Sequence, residues 1–307
     1  ISILTGRVSS VDPNMQQIPS HGPLAKIVKE CFVAPPNMLY AKVDFSAHEL
    51  RLWSIIGNDP VLAKAFDVGV QLIYKFRHEP LPEYAKAHKI EGDIHRVNAC
   101  TFGMAASPAE VDDDTRSAVK GIAFGSIYGR IVENIAKALK KPVEFVQKVY
   151  EAFFSKLPNA SNWLLEIEKV AERNLVVESC LGRRRNLTGL CLASIDKGKN
   201  KRIKGIMNAL RRRARNSPIQ GMGSDLGFSG ARLIEKITWA MTKHQEQWRK
   251  ELPIKNCNMV HDSSETLAYY TWLLRALEII EYGLTLGNQR RANFVFGMYF
   301  PVDLAIE

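Results

Sequence analysis

The sequence predicts an α+β fold in which strands near both ends of the chain accompany a long, mostly helical middle part. Near the start, Leu39, Ala41 and Val43 alternate along the chain with the two-residue period of a strand. Near the end, residues 255–269 have the pattern of a β-hairpin, and residues 299–305 that of a final strand. Between these strands, apolar residues recur at helical spacing and turn residues separate the helices.

The composition is that of a globular protein with an excess of basic residues. The chain has 307 residues, enough for one large domain or two modest ones, and 46% of them are hydrophobic. Its formal net charge is +10 and its isoelectric point is near 9.3, which indicates a polyanionic partner. No apolar run approaches the roughly 20 residues of a membrane span, and no signal peptide is recognised. The five cysteines have no paired spacing, so we expect reduced core thiols of an intracellular protein.

A carboxylate ends the first predicted strand. Asp44 follows Val43 and precedes a predicted helix with Leu50, Trp53 and Ile56 on one side. Because the backbone at the end of a buried strand is held rigidly, Asp44 is a good position for a metal ligand. Alternatively, its side chain caps the N-terminus of the following helix, and the sequence leaves both interpretations open.

The most informative helix carries four side chains spaced four residues apart: Arg116, Lys120, Phe124 and Tyr128. Each step of four advances about 6 Å and turns about 40°, so the four share one face. Two cations, an aromatic ring and a phenol suit a ligand with an anionic tail and a flat head, such as a nucleoside triphosphate. Residues 112–115 supply N-cap candidates, and Gly129 supplies a stop. The alternative is an amphipathic core helix whose basic residues are only solvated.

Local signals organise the remaining segments. Residues 58–92 predict short helices and loops, Asp93 opens a helix, and Ser107-Pro108-Ala109-Glu110 has the capping-box pattern of another helix start. Residues 131–178 predict three helices. Residues 197–215 contain nine Lys or Arg residues in nineteen, which predicts contact with a phosphate backbone or, alternatively, a solvated face. In the hairpin 255–269, His261 and Asp262 lie at the turn, where a purely structural role is the alternative.

Six motifs in order make the sequence resemble the palm and fingers of family A DNA polymerases, the bacterial polymerase I class. Asp44–Arg51 resembles Asp-Tyr-Ser-x-x-Glu-Leu-Arg, Arg116–Gly129 resembles Arg-x3-Lys-x3-Phe/Tyr-Gly-x2-Tyr-Gly, and Val260–Ser263 resembles Val-His-Asp-Glu. The other matching segments are 5–16, 93–96 and 216–221. The resemblance implies a right-hand palm, a small antiparallel sheet with helices, at 1–60 and 206–307. It implies a mostly helical fingers subdomain at 61–205, with the thumb and exonuclease domains absent from this chain and expected in the same parent chain or a separate one.

The resemblance also implies an activity and a metal. A DNA-templated DNA polymerase of replication or repair would add deoxynucleoside monophosphates to a primer 3′-hydroxyl and release pyrophosphate, in the cytoplasm of a bacterial or phage-infected cell and without a membrane. Asp44, Asp262 and the backbone carbonyl of Phe45 would hold two Mg²⁺ ions, which Mn²⁺ can replace. These ions would lower the pKa of the primer hydroxyl and neutralise charge on the transferring phosphoryl group.

Further roles follow from the same resemblance. Arg116, Lys120 and His95 would grip the triphosphate, with Lys120 as the general acid toward pyrophosphate. Phe124 would stack on the incoming base and sugar, while Glu49 and Tyr128 would crowd the 2′ position and exclude ribonucleotides. Contacts with primer–template DNA would come from Arg7, Asn14, Gln16, Arg212, Asn216 and Gln220 in the minor groove, and from His261 at the primer terminus.

Three departures from the family pattern leave alternatives open. Ser263 replaces the glutamate of the third motif, with Glu265 nearby; Ala47 replaces a glutamine; and His21 stands where the family has a triphosphate-contacting arginine. One alternative is therefore a catalytically impaired DNA-binding fragment. Another is a relative of the single-subunit RNA polymerases, although a ribonucleotide enzyme should not block the 2′-hydroxyl.

Overall fold

The structure, a computed structural model, describes residues 6–7, 23–75, 83, 87, 89–192, 200–248, 252–260, 263–285 and 302–306. Its helices are α1 (Pro23–Glu30), α2 (His48–Ile56), α3 (Pro60–Lys75), α4 (Ile94–Thr101), α5 (Asp113–Ile127), α6 (Val132–Leu139), α7 (Val143–Lys156), α8 (Pro158–Asn174), α9 (Lys201–Thr242) and α10 (Leu273–Leu284). Its strands are β1 (Met38–Phe45), β2 (Val176–Glu178), β3 (Arg184–Asn186), β4 (Ile254–Val260), β5 (Ser263–Tyr269) and β6 (Val302–Ile306). The predicted α+β class is confirmed. In the described part of the chain, no helix is long and apolar enough to cross a membrane.

The chain folds into two compact units, residues 1–48 with 220–307 and residues 49–219. The first unit contains a four-stranded antiparallel sheet of order β4-β5-β1-β6. One face of β1 is buried through Ala41, Val43 and Phe45, whereas Lys42 and Asp44 are exposed. This alternation confirms the predicted strand and orients the Asp44 carboxylate away from the core.

Two glycines let α10 pack closely against the C-terminal part of α9 in the first unit. A Cβ atom added to Gly230 would lie 2.7 Å from Leu284 Cδ2, and one added to Gly283 would lie 2.5 Å from Ile234 Cγ1. Either substitution would therefore force the helices apart. The predicted hairpin is confirmed as β4 and β5, and the final strand as β6.

The second unit contains α2 from Glu49 onward, the helices α3 to α8, the N-terminal part of α9 and a small hairpin, β2 with β3. Its core is centred on Trp53 and Phe153, both fully buried with ring centroids 6.0 Å apart. The Trp53 indole N–H donates to the Ala160 carbonyl (3.2 Å), which joins α2 to the start of α8. The three helices predicted for residues 131–178 are present, but the hairpin that follows them was not predicted.

Three expectations from the sequence were wrong, two for connecting segments and one for the cysteines. Residues 60–75 were expected to form short helices and loops, but they form one helix of four turns. Asp59 caps this helix by accepting from the N–H groups of Val61 and Leu62. The Ser107–Glu110 segment is a turn and not a helix start. The cysteines are free thiols as expected, but none of the five is in the core; Cys31, Cys180, Cys191 and Cys257 are exposed.

Candidate functional site

The four side chains that the sequence predicts on one face lie on α5 and at its C-cap. Asp112 caps the helix by accepting from the Thr115 N–H (2.7 Å), and the opposite side of the helix is buried through Ala118, Val119 and Ile122. Along the other side, Lys120 is exposed, and Arg116, Phe124 and Tyr128 are partly exposed. The helix is therefore amphipathic, which the alternative interpretation as an ordinary core helix also predicts. The four predicted side chains nevertheless lie together on its exposed side.

At the start of this face, Arg116 is held by the carboxylate that caps α4. Asp93 Oδ2 accepts from both Nε (2.8 Å) and Nη2 (2.6 Å) of Arg116. Asp93 Oδ1 accepts from the backbone N–H groups of His95 (2.9 Å) and Arg96 (3.1 Å). Partial burial acts to raise the pKa of Asp93, but the hydrogen bonds from Arg116 and Arg96 outweigh it, and the pKa lies below its ordinary value.

Arg96 makes the reciprocal connection from α4 to the start of α5. Its Nη2 donates to Asp113 Oδ1 (2.7 Å), and its Nη1 donates to the carbonyls of Val111 and Pro108. Two ion pairs thus join the starts of the two helices. In one, Arg116 of α5 pairs with Asp93 of the α4 cap; in the other, Arg96 of α4 pairs with Asp113 of α5. Arg96 also fixes the turn before α5. Its guanidinium bonds the Pro108 and Val111 carbonyls, which would accept backbone N–H groups if this turn were helical.

His95 lies beside this face as a neutral imidazole. Its side chain is buried, its ring centroid is 6.0 Å from that of Phe124, and its Nδ1 has no hydrogen-bond partner among the described residues. Burial lowers the pKa of His95 to about 4; the Asp93 charge opposes this shift, and the charges of Lys120 and Arg116 add to it. At neutral pH, His95 can offer an anion a hydrogen bond but no charge.

This neutral state predicts a pH dependence of stability. Because the folded pKa lies below the ordinary value of 6.5, the unfolded chain binds the extra proton between pH 6.5 and 4, and the free energy of unfolding falls as pH falls through that window. In His95→Gln, we expect the free energy of unfolding to fall less between pH 6.5 and 4 than in the unchanged chain, by on the order of 3 kcal/mol. Urea unfolding at several pH values measures it. His244 is exposed, so His244→Gln is the control, and an unchanged slope in His95→Gln would contradict the assignment.

At the other end of the face, Tyr128 is joined to the start of the second unit. The Tyr128 hydroxyl lies 2.8 Å from Oε1 and 2.7 Å from Oε2 of Glu49 and donates to this carboxylate. The Glu49 side chain comes from α2 and is buried. The two residues predicted to discriminate against ribonucleotides are therefore in direct contact.

Gly129 ends α5 in a Schellman motif. Its N–H donates to the Ser126 carbonyl (3.1 Å) and the Arg130 N–H donates to the Gly125 carbonyl (2.7 Å), while Gly129 has φ +64°. The predicted stop is confirmed. A Cβ atom at Gly129 would clash with Arg212 Cγ, so only glycine allows the stem of Arg212 to pass across the end of α5.

The close approach at Gly129 gives a second testable prediction. We expect Gly129→Ala to lower the free energy of unfolding by about 2–3 kcal/mol, roughly 1 from the positive φ and the rest from displacing Arg212. Gly103→Ala is a matched control, because Gly103 has φ +75° but nothing within 4 Å of its added Cβ. Urea unfolding of both variants isolates the cost of the contact. Equal losses would show that Arg212 does not constrain position 129.

Arg212 also lines a basic cleft of about 550 Å³ within the second unit. Its other charged lining residues include Arg130, Arg211, Arg215 and Glu168. Arg215 Nε lies 2.6 Å from Glu168 Oε1, and Arg211 Nε donates to Glu172 Oε1 (2.6 Å). Arg212 and Asn216 are one helical turn apart on α9. The predicted basic run is therefore partly paired. Arg212 of this run is exposed at the cleft, as is Arg130, which lies outside the run.

The strand register places Asp44 between two neighbours in the first unit. Asp44 lies opposite Ser263 of β5 and opposite Asp303 of β6. Since β1 includes Asp44 and α2 begins only at His48, Asp44 is not the helix cap that the sequence left open. Glu265 lies opposite Lys42, and its Oε2 accepts from the Tyr40 hydroxyl (3.3 Å). Among the described residues, no cluster of three His, Cys, Asp or Glu side chains is arranged to hold a metal.

Several predicted residues lie outside the described part of the chain: Asn14, Gln16, His21, His261 and Asp262. Arg7 and Gln220 belong to the first unit, and Asn216 to the second. Sequence reasoning did not single out Asp93 or Asp303. The match of residues 93–96 to a family motif could have drawn attention to Asp93, but Asp303 becomes notable only through its register with Asp44.

Comparisons with known proteins identify the family of the chain. A sequence profile of DNA polymerase family A matches residues 2–265. The thermostable DNA polymerase I of Thermus thermophilus is 31% identical over 223 residues, 72% of this chain and 23% of its own length. That of Thermus aquaticus is 31% identical over 224 residues, with the same coverage. The chain therefore spans about a quarter of the length of these relatives.

A solved structure shows the same fold. The POL domain of Pol1 from M. smegmatis, in complex with DNA primer-template and dNTP, superposes with a TM-score of 0.75 at 21% identity. The alignment covers 99% of this chain and 46% of that one. Together with the profile match over most of its length, the comparisons show that this chain belongs to DNA polymerase family A.

Proposed function

We propose that the chain carries the polymerase active site of a DNA-templated DNA polymerase that extends a primer 3′-hydroxyl with deoxynucleoside monophosphates. The observation that carries the proposal is α5, whose exposed face is constrained at both ends. Arg116 is oriented by Asp93 at one end, and Tyr128 is hydrogen-bonded to Glu49 at the other. A cation and an aromatic ring, Lys120 and Phe124, lie between them.

The face has the chemistry for a deoxynucleoside triphosphate. Arg116 and Lys120 supply positive charge for the phosphates, and neutral His95 supplies a hydrogen-bonding nitrogen. Phe124 offers a flat surface for the base and sugar. Lys120, whose side chain is exposed, is the proposed proton donor for the departing pyrophosphate. Glu49 and Tyr128 close the end where a ribose would need space for its 2′-hydroxyl.

The metal is assigned to the first unit. Asp44 is an exposed carboxylate beside Ser263, and Asp262 precedes Ser263 in the chain. Oxygen ligands of this kind fit Mg²⁺. We assign Asp44, Asp262 and the Phe45 carbonyl as ligands of two Mg²⁺ ions, which would acidify the primer hydroxyl and balance the charge of the phosphoryl group. Phe45 is fixed for this role by its ring, which stacks on His48 with centroids 4.4 Å apart.

DNA is the proposed polyanionic partner. The M. smegmatis structure contains primer-template DNA and dNTP, and the net charge of +10 favours binding of a phosphate backbone. Arg212, exposed at the basic cleft, is assigned to the primer–template together with Arg7, Asn216 and Gln220. Asn14, Gln16 and His261 remain assigned from the resemblance alone.

The test is primer extension by the full chain with Mg²⁺, on one primed template, with dNTPs or rNTPs. We expect template-directed addition of dNTPs and a strong preference for them over rNTPs. A preference for rNTPs would favour the RNA polymerase alternative. Binding of primer–template without any extension, in Mg²⁺ or Mn²⁺, would favour a catalytically impaired DNA-binding protein, the alternative that Ser263 raises.

A further inference from the structure

The ion pair at the start of α5 uses only part of the Arg116 guanidinium. Asp93 Oδ2 occupies the edge formed by Nε and Nη2. Among the hydrogen bonds of the described residues, none involves the two N–H groups of Nη1. A guanidinium has five N–H donors in a fixed plane, so holding one edge determines the direction of the other.

Asp93 is equally committed on its other oxygen. Oδ1 caps α4 through the N–H groups of His95 and Arg96, so the carboxylate cannot rotate without giving up a cap. Its side chain is 14% exposed, against 32% for Arg116. The anchor is thus the more buried member of the pair, and the arginine is the member that reaches solvent.

From this geometry we propose that Asp93 is a positioning residue for the triphosphate, which acts by orienting Arg116 and fixing the start of the helix that carries His95. The inference rests on the proposed function, since it assumes that Arg116 binds the phosphates. Asp93 itself touches no substrate. It orders the arginine before the nucleotide arrives.

The sign of the effect separates this role from simple charge neutralisation. An unrestrained arginine loses side-chain entropy when it is fixed on a ligand, and prior ordering avoids that loss. This predicts weaker nucleotide binding when Asp93 is changed. If the carboxylate only cancelled the charge of Arg116, its removal would instead strengthen binding of the anionic triphosphate.

Asparagine is the informative substitution at position 93. Asp93→Asn keeps an oxygen that can cap α4, but it loses the charge that holds Arg116. We expect KM for dNTP to rise about tenfold, with kcat changed less than threefold, because the lost interaction is made in the ground state and the transition state alike. Binding of a non-hydrolysable dNTP analogue to the full chain on a blocked primer should weaken by the same factor.

Two neighbouring carboxylates provide control variants. Asp112→Asn changes the carboxylate that caps α5, and Asp113→Asn changes the partner of Arg96; in the described structure neither of these carboxylates bonds the Arg116 guanidinium, and the Asp112 carbonyl that accepts from the Arg116 backbone N–H is unchanged by the substitution. Both are expected to leave KM within twofold. Thermal unfolding of all three variants checks that the comparison is made between folded proteins.

A double-mutant cycle decides whether Asp93 acts through Arg116. Arg116→Ala alone should raise KM, and adding Asp93→Asn to it should change KM less than twofold. A lower KM in Asp93→Asn, an unchanged KM, or a full tenfold effect in the Arg116→Ala background would overturn the proposal. If the unchanged chain does not incorporate dNTP, the proposed function is wrong and this inference fails with it; if only the Asp93 results disagree, the function stands.

Discussion

Replacing Asp44 by asparagine is expected to reduce primer extension at least about 10³-fold. A metal-bound carboxylate site supplies several kcal/mol of transition-state charge stabilisation, and about 4 kcal/mol corresponds to that factor. Asn keeps the size of the side chain, and Asp44 is exposed at the end of β1, so the sheet should remain folded. Single-turnover extension with saturating dNTP measures the chemical step.

The same loss is expected for Asp262→Asn if the two aspartates act together. Binding of Mn²⁺, followed by its EPR signal, should weaken in both variants, which gives a measurement independent of turnover. Extension within a few-fold of the unchanged chain by either variant would show that the metal has been assigned to the wrong residues.

The sheet register provides the control. Glu265 lies opposite Lys42 and bonds the Tyr40 hydroxyl, whereas Ser263 is the residue opposite Asp44. Glu265 therefore does not take the position of the glutamate that the family has at 263. Glu265→Gln is expected to retain extension within about threefold. Ser263→Glu restores the family residue beside Asp44 and should strengthen Mn²⁺ binding.

Local signals in the sequence were sufficient for the elements that carry the site. Asp112 and Gly129 mark both ends of α5, and the alternation from Met38 to Phe45 marks β1, because caps and side-chain periods act within a few residues. The four-residue spacing from Arg116 to Tyr128 then predicted which side chains share a face. Such features are decided locally, so they can be read without knowing the fold.

Local signals could not predict the contacts between residues that are distant in sequence. Asp93 and Arg116 are 23 residues apart, and Glu49 and Tyr128 are 79 apart. The capping box at Ser107 illustrates the same limit. Ser107 Oγ donates to the Glu110 carboxylate (2.8 Å), which is a bond between side chains and not one of the side-chain-to-backbone bonds of a capping box. Arg96 takes the Pro108 and Val111 carbonyls, and no helix begins at Ser107. Tertiary contacts thus overrode the local signal.

The second large effect is expected at the other end of α5. Glu49→Ala should raise the efficiency of rNTP incorporation, relative to dNTP, by about 10²-fold. The buried Glu49 carboxylate receives the Tyr128 hydroxyl on both oxygens, which fixes the carboxylate and the ring against each other. Removing the carboxylate opens a space at the position assigned to the 2′ carbon, and a ribose hydroxyl can enter it.

Two further variants separate the possible causes of this discrimination. Glu49→Gln keeps the volume of the side chain and an acceptor for the Tyr128 hydroxyl but removes the charge. If Glu49 excludes the ribose 2′-hydroxyl sterically, discrimination should survive in this variant; if it acts through its charge, discrimination should be lost. Tyr128→Phe keeps the ring but removes the hydrogen bond, and is expected to relax discrimination only a few-fold, because Glu49 still fills the space. The ratio of kcat/KM for rATP and dATP opposite template T measures all three. A ratio within threefold of the unchanged chain in Glu49→Ala would refute the assignment of this pair to the sugar.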